Sequence, residues 1–264
     1  MLYDDEYIAR AIRGEYTGAQ ERRLSLSERI LVCILQSGMA VAYGGVFILC
    51  HIPLASLLFE TLARSFSRGA IGFFLRGAYY RNRLKRMGKN VLIDVGVTIW
   101  TPENVEIDDG SHIDTHVTIL GGRKGHGHVQ IGKYAHVSSN CVLSGRGGIE
   151  VGDYATIAAG SNIYSASHYY DNPQDKTGKL LSMSWVAPLD MQYVIEKPVV
   201  IGDYAFIALN CTVLPGVKVG KAAIVGAHSL VTADIPPFSI AVGAPARVIK
   251  QRPEPGSAKI VGVS

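Results

Sequence analysis

Aliphatic residues recur at a fixed interval of six through the C-terminal half of the chain. Ile201, Ile207, Val213, Val219, Val225 and Val231 follow one another without a miss. Four positions after each stands a smaller or aliphatic side chain: Ala205, Cys211, Val217, Ala223, Ser229 and Ile235. Gly202, Ala208, Gly220 and Gly226 follow the leading aliphatics directly. Earlier stretches repeat the rule in threes, at Ile107, Ile113 and Ile119, at Ile131, Val137 and Leu143, and at Val151, Ile157 and Ile163, with Ile93 and Ile99 opening the series. The helical period does not hold an interval of six over so many turns, and simple strand alternation would not single out every third inward position. The pattern predicts a solenoid over residues 90–250, in which each short strand buries one large aliphatic beside a small residue and then turns. Two stretches leave the rhythm: a short glycine-rich one from Gly121 to Val129, and a long one over 169–198 that carries Tyr169, Tyr170, Trp185 and Tyr193.

The first 89 residues read differently. Residues 1–29 are polar and charged, with helix-compatible spacing at Tyr7, Ile8, Ala11 and Ile12. From Ile30 to Phe59 no Asp, Glu, Lys or Arg occurs, and a bilayer crossing needs only about 20 apolar residues. Gly44-Gly45 and Pro53 interrupt this run, and basic residues flank it on both sides (Arg22, Arg23 and Arg29 before, Arg64 and Arg68 after). Positive charge favours the cytoplasmic side, so an interfacial or re-entrant helical hairpin with both ends inside is expected, the rival being a buried helical pair in an oligomer. The basic, aromatic stretch that follows, with Arg64, Arg68, Arg76, Arg81, Arg83, Lys85 and Arg86, suits either an anionic leaflet or a solvated linker helix. The expected organisation is a helical region over 1–89, a solenoid over 90–250 and a tail over 251–264.

Charge and cysteine usage narrow the classes. The net charge of +4 is small, and no nucleic-acid-binding module is present, so nucleic acid is not an expected partner. Cys33, Cys50, Cys141 and Cys211 form no C-x-x-C pair and read as core-filling thiols of a reducing compartment. The acidic start, with Asp4, Asp5 and Glu6, lacks the basic n-region of a secretory signal.

The unbroken hexads resemble the hexapeptide-repeat acyltransferases, and the resemblance covers residues 90–250. It implies a mainly β fold, a left-handed parallel β-helix, with homotrimers whose active sites lie between neighbouring subunits. The stretch IAAGSNIYSASH ending at His168, followed after the long excursion by KPVVIGDYAFI from Lys197, is similar to the galactoside and maltose acetyltransferase pattern. That resemblance implies acetyl-CoA as acyl donor, a sugar or saccharide as acceptor, no metal, and His168 as catalytic base. The chemistry agrees: a sugar hydroxyl is too weak an acid to attack a thioester unaided near neutrality, and imidazole titrates in the range such a base needs. The same comparison places acceptor contacts at Ser138 and Asn140. It places the CoA arm at Phe206, Leu209, Ala227 and Thr232, with Arg247 and Lys250 for the nucleotide phosphates, and Arg252 as a further substitute. Phe206 and Ala233 depart from the Trp and the basic residue common in that family.

The expected function is acetyl transfer to a sugar hydroxyl, of a lipid-linked saccharide or exopolysaccharide precursor, at the cytoplasmic face of the membrane. Two alternatives stand beside it: N-acetylation of an amino-sugar nucleotide, and a non-catalytic trimeric scaffold anchored by 30–59. A zinc-binding β-helix is a third, because His112 and His136 fall one coil apart with His116, His126 and His128 nearby; the expected ligand spacing is absent.

Overall fold

Three sheets, parallel except for the last strand pair of face two, form the faces of a solenoid. Face one holds six strands, from Arg86–Met87 to Lys218–Val219; face two holds eight, from Leu92–Ile93 to Ala246–Gln251; face three holds six, from Thr98–Trp100 to Leu230–Val231. The computed structural model describes residues 3–5, 7, 8, 25–123, 125–175 and 177–255. Ala11, Ile12, Arg22, Arg23 and the end of the tail lie outside them. The leading aliphatics of the hexads face inward: Ile107, Ile113, Ile131, Leu143, Ile157, Ile163 and Ile201 are among the largest fully buried side chains. The small partners Ala155, Cys141, Ala205 and Cys211 are buried beside them. Burial pushes the Cys141 thiol up to about 11, as expected of an inert core cysteine.

The corners explain the interrupted rhythm. In the N-terminal coils, where no excursion intervenes, neighbouring strands lie 20 residues apart, as Val129 beside Ile149. In the C-terminal coils they lie 18 apart, as Val200 beside Lys218. The two extra residues fall between face three and face one, where Ile99 to Ile107 and Leu143 to Val151 step by eight while Val213 to Val219 steps by six. Both excursions leave from this same edge. Asn140, Asn210 and His116 turn other corners with positive φ, a conformation Asn adopts more readily than most residues.

Within residues 26–81 three helices lead into the coils. The first, α1, spans Leu26–Cys50 and opens on a capping box in which Ser25 and Glu28 satisfy each other's backbone N–H, a strong start signal. It runs through Gly44 and Gly45 without a break, so these glycines do not interrupt the apolar run as expected; a helix interior tolerates each at about 1 kcal/mol. The break comes at His51 and Ile52, after which α2 (Pro53–Ser65) begins with Pro53 in its first turn, where a missing N–H costs nothing. α1 is long and apolar enough to cross a membrane by length and composition, with 11% of that window buried. Cys33 is exposed on it, and so does not fill the core as expected.

The third helix, α3 (Ala70–Arg81), packs largely against the protein and is not the solvated linker of the second expectation. Phe73, Arg76, Tyr79 and Tyr80 are buried, and the helix covers the N-terminal end of the coils. Arg76, fully buried, donates to Ile93 O at 2.7 Å and Phe66 O at 2.8 Å, and Tyr80 Oη donates to Val97 O at 2.8 Å. Burial lowers the Arg76 pKa from its ordinary value. Five of the other basic residues bond to the protein as well, while Arg83 is exposed. Arg64 reaches Thr98, Arg68 pairs with Asp94 and Asp114, Arg81 donates to Gly88 O, and Lys85 and Arg86 pair with Glu106. Much of the stretch 64–86 therefore ties helices to coils, although the side chains of Arg68, Lys85 and Arg86 stay more than half exposed.

Candidate active site

After the face-three strand Asn162–Tyr164 the chain does not turn to face one. It continues outward as Ala166–His168, which pairs antiparallel with the returning strand Val194–Glu196, Ala166 beside Glu196 and His168 beside Val194. Ser165 anchors this root. Its buried hydroxyl donates to Ser144 O at 2.7 Å and accepts from Gly147 N–H at 2.9 Å, and its carbonyl accepts from Lys197 N–H at 2.9 Å. The glycine-rich corner 145–148 is thus bound into the base of the long excursion. A Cβ on Gly147 would fall 2.3 Å from Ser165 O, so the close approach requires glycine there.

Arg146 projects from that corner. Its guanidinium pairs with Glu196 and lies 5.1 Å from the Trp185 ring centroid. Glu196 also meets His126 Nε2 at 2.5 Å, from the short excursion. Burial alone would raise the Glu196 carboxyl, but the His126 hydrogen bond and the Arg146 charge outweigh it and hold the group below its ordinary value. A single carboxylate therefore clasps the two excursions together.

His168 sits within this assembly, half-buried. Its Nε2 lies 3.1 Å from Gln192 Oε1, and its ring meets that of Trp185 edge-on, with centroids 5.5 Å apart at 90°. An imidazole held by an amide and an indole at a coil edge can exchange a proton with a group arriving from outside.

The remaining sequence-derived positions fall on separate edges. Ser138 and Asn140 turn the corner between faces two and three; the Ser138 hydroxyl is 3.5 Å from His136 Nε2, and the Asn140 backbone donates to Thr115 O at 3.0 Å. Leu209 and Ala227 occupy the same edge further along, where His228 N–H donates to Leu209 O at 2.9 Å. Phe206 lies beside them on face two, 40% exposed. Thr232 follows the last strand of face three and so shares the edge of His168. Arg247 and Lys250 are exposed on the strand Ala246–Gln251, at the end of face two. Arg252 donates to Ala222 O at 2.6 Å, which leaves it committed to the fold. Within one chain, then, the structure does not unite His168 with Ser138, Asn140, Phe206, Leu209 or Ala227.

Asp94, His112 and Asp114 offer ligand atoms within 4.8 Å of one another, and His136 stacks on His112 at 5.3 Å. Arg68 already holds both carboxylates, at 2.6 Å and 3.3 Å, and Arg76 stands 4.0 Å from Asp94. A dication would have to compete with two guanidinium groups, so the donor set suits an ion-pair network better than a metal.

Arg146, Gln192 and Glu196 were absent from the sequence-derived site. Arg146 had one signal, a lone cation inside the glycine-rich corner GRGG. Gln192 and Glu196 had none, because the antiparallel register that brings them to His168 arises only from the tertiary fold.

A three-faced solenoid of hexads, with a histidine at the root of an excursion, defines a class of transferase. The chain is 30% identical over 168 residues to a dTDP-4-amino-4,6-dideoxy-D-glucose acyltransferase from Escherichia coli, covering 64% of this chain and 82% of that one. It is 32% identical over 165 residues to a probable acetyltransferase from Mycobacterium tuberculosis, of which it spans half the length. Among solved structures it resembles AntD, an N-acyltransferase from Bacillus cereus in complex with dTDP and 3-hydroxybutyryl-CoA, at 29% identity and a TM-score of 0.56, covering 64% of this chain and 84% of that one. No protein-family model matches the sequence. The chain belongs to the hexapeptide-repeat acyltransferases.

Proposed function

We propose that this protein transfers an acetyl group from acetyl-CoA to a sugar, with His168 as general base. The observation that carries the reading is the placement of His168 at the root of the long excursion, held by Gln192 and Trp185. As the acceptor attacks the thioester carbonyl, its proton passes to His168; the tetrahedral adduct then collapses, the C–S bond breaks, and the CoA thiolate takes the proton back. No covalent acyl-enzyme is required.

A homotrimer fits this reading. The edge of His168 and the edge of Ser138, Asn140, Leu209 and Ala227 lie apart in one chain, so an interface between copies would let one chain's base face another's acceptor and CoA-arm residues. Arg247 and Lys250 remain exposed for the nucleotide phosphates.

The favoured acceptor is the amine of a nucleotide-linked amino sugar, which the Escherichia coli relative and AntD both support. A second reading, a hydroxyl of a lipid-linked saccharide at the cytoplasmic face of the membrane, draws on the exposed apolar surface of α1, where Ile34, Val41 and Ile48 are more than half exposed. Acetyl-CoA turnover against amino-sugar nucleotides, lipid-linked saccharides and free sugars, with product mass spectrometry, separates amide from ester. Equal turnover by wild type and His168→Ala would remove the base assignment, and no acetyl-CoA consumption with any acceptor would leave a scaffold.

A further inference from the structure

We infer that Gln192 locks His168 into one tautomer, with the proton on Nε2 and the lone pair on Nδ1, which makes Nδ1 the basic atom of the site. The argument begins with the carboxamide. Gln192 Nε2 donates to two carbonyls of the same excursion, Ala187 O and, at 3.3 Å, Trp185 O. Flipping the amide would set its oxygen against both carbonyl oxygens, an arrangement with no proton to share. The amide orientation is therefore fixed, and the atom that faces His168 is the oxygen, 3.1 Å from Nε2. A carbonyl-type oxygen only accepts, so Nε2 must carry the hydrogen. Nδ1 has no hydrogen-bond partner among the described residues and is left with the lone pair.

Local structure holds Gln192 where this argument needs it. It closes a one-turn 3-10 helix, Leu189–Met191, and its own N–H donates to Leu189 O at 3.2 Å. The next residue is tied across the root of the excursion, where Tyr193 O accepts from Tyr169 N–H at 2.9 Å. Trp185, whose carbonyl receives the Gln192 amide, presents its ring both to His168 and to the Arg146 guanidinium. The outgoing strand and the 3-10 turn thus meet at one imidazole, and the glycine-rich corner reaches it through Trp185. An amide at this position orients the ring without adding a charge that would hold it protonated. Gln192 is in this sense a positioning residue.

The catalytic consequence rests on His168 being the base, but the tautomer itself can be measured without turnover. Long-range proton–nitrogen correlation spectra of protein labelled with 15N-histidine, with His168→Gln to assign the signal, report each ring nitrogen separately. The expected wild-type signature above about pH 8, where an ordinary imidazole is neutral, is a pyrrole-type Nε2 and a pyridine-type Nδ1. A pyridine-type Nε2 in the wild type overturns the inference outright, whatever the activity. In Gln192→Ala the signature is expected to move to the average of two exchanging tautomers; an unchanged spectrum shows that something else sets the form and also overturns it. The near-isosteric Gln192→Glu adds a readout that loss of folding would not mimic. Its carboxylate favours the imidazolium, so the acidic limb of the kcat/KM profile is expected to move to higher pH by about one unit. A profile that stays in place would argue against contact between the two side chains.

Discussion

The N-terminal and C-terminal coils bury the same kind of core behind different corners. On both sides a fully buried isoleucine faces the axis, Ile157 beside Val137 twenty residues before it and Ile207 stacked directly on Ile157. Between faces three and one, however, the N-terminal coils carry two more residues per turn, and both excursions leave from that looser corner. The C-terminal coils cross the same edge in a tight turn at Gly216. The contrast shows where this architecture stores chemistry: repeat-to-repeat packing stays constant while a single edge varies, and the variable edge holds His168, Arg146 and His126.

The comparison can be broken or sharpened by substitution. The largest effect is expected at the variable edge: His168→Ala should lower kcat/KM by about 10²–10⁴-fold, with the melting temperature nearly unchanged. In the constant core, Ile157→Ala and Ile207→Ala should each cost about 2–5 kcal/mol in denaturant unfolding; a much smaller loss for Ile157 would mean that the loose-cornered coils pack less well. Glycines on the two versions of the edge should then differ. Gly127 has φ 81°, and a Cβ there would sit 2.5 Å from the backbone oxygen of Gly145, so Gly127→Ala should lose more than the roughly 1–2 kcal/mol of left-handed strain alone. Gly216 has φ 85°, and the nearest atoms to its Cβ would be those of the Lys197 side chain, Cδ at 3.0 Å and Cβ at 3.2 Å; the loss there should exceed that strain by less than at Gly127.

The smallest expected effect is a pH dependence within the N-terminal coils. Burial, and then the neighbouring His136, push the His112 pKa below its ordinary value, against the opposing pull of Asp114 and Asp94 and with Arg68 adding to the depression. Below the ordinary imidazole pKa the unfolded chain therefore binds a proton that the folded chain resists. Stability should be intact above about pH 7 and decline as the pH falls from the ordinary imidazole value toward the lower folded one. Thermal melts between about pH 7.5 and pH 5.5 should show this slope, and His112→Gln should flatten it.

Much of this was legible in the residues themselves. The hexads from Ile201 to Val231 mark one inward residue in each of six strands, and the steps of eight mark the loose corners. His168 announces itself by standing where the rhythm stops. The helical region was less readable because its decisive contacts are tertiary. Arg76 looks like one more cation in a basic stretch, yet it is fully buried among backbone carbonyls, which no local pattern encodes. Gly44 and Gly45 look like a break, but a helix secured by the Ser25–Glu28 box continues through them. Gln192 carries no motif at all; only the pairing of Ala166–His168 with Val194–Glu196 gives it a neighbour.

Stacked parallel strands end in rows of unsatisfied amides and carbonyls that invite another copy to add on. In this protein α3 covers one end, and at the other the strand Ala246–Gln251 reverses direction and pairs antiparallel with Ser239–Gly243. A fold that could lengthen indefinitely is thereby given a finite size, so removal of either lid should turn a discrete particle into a seed for fibre growth.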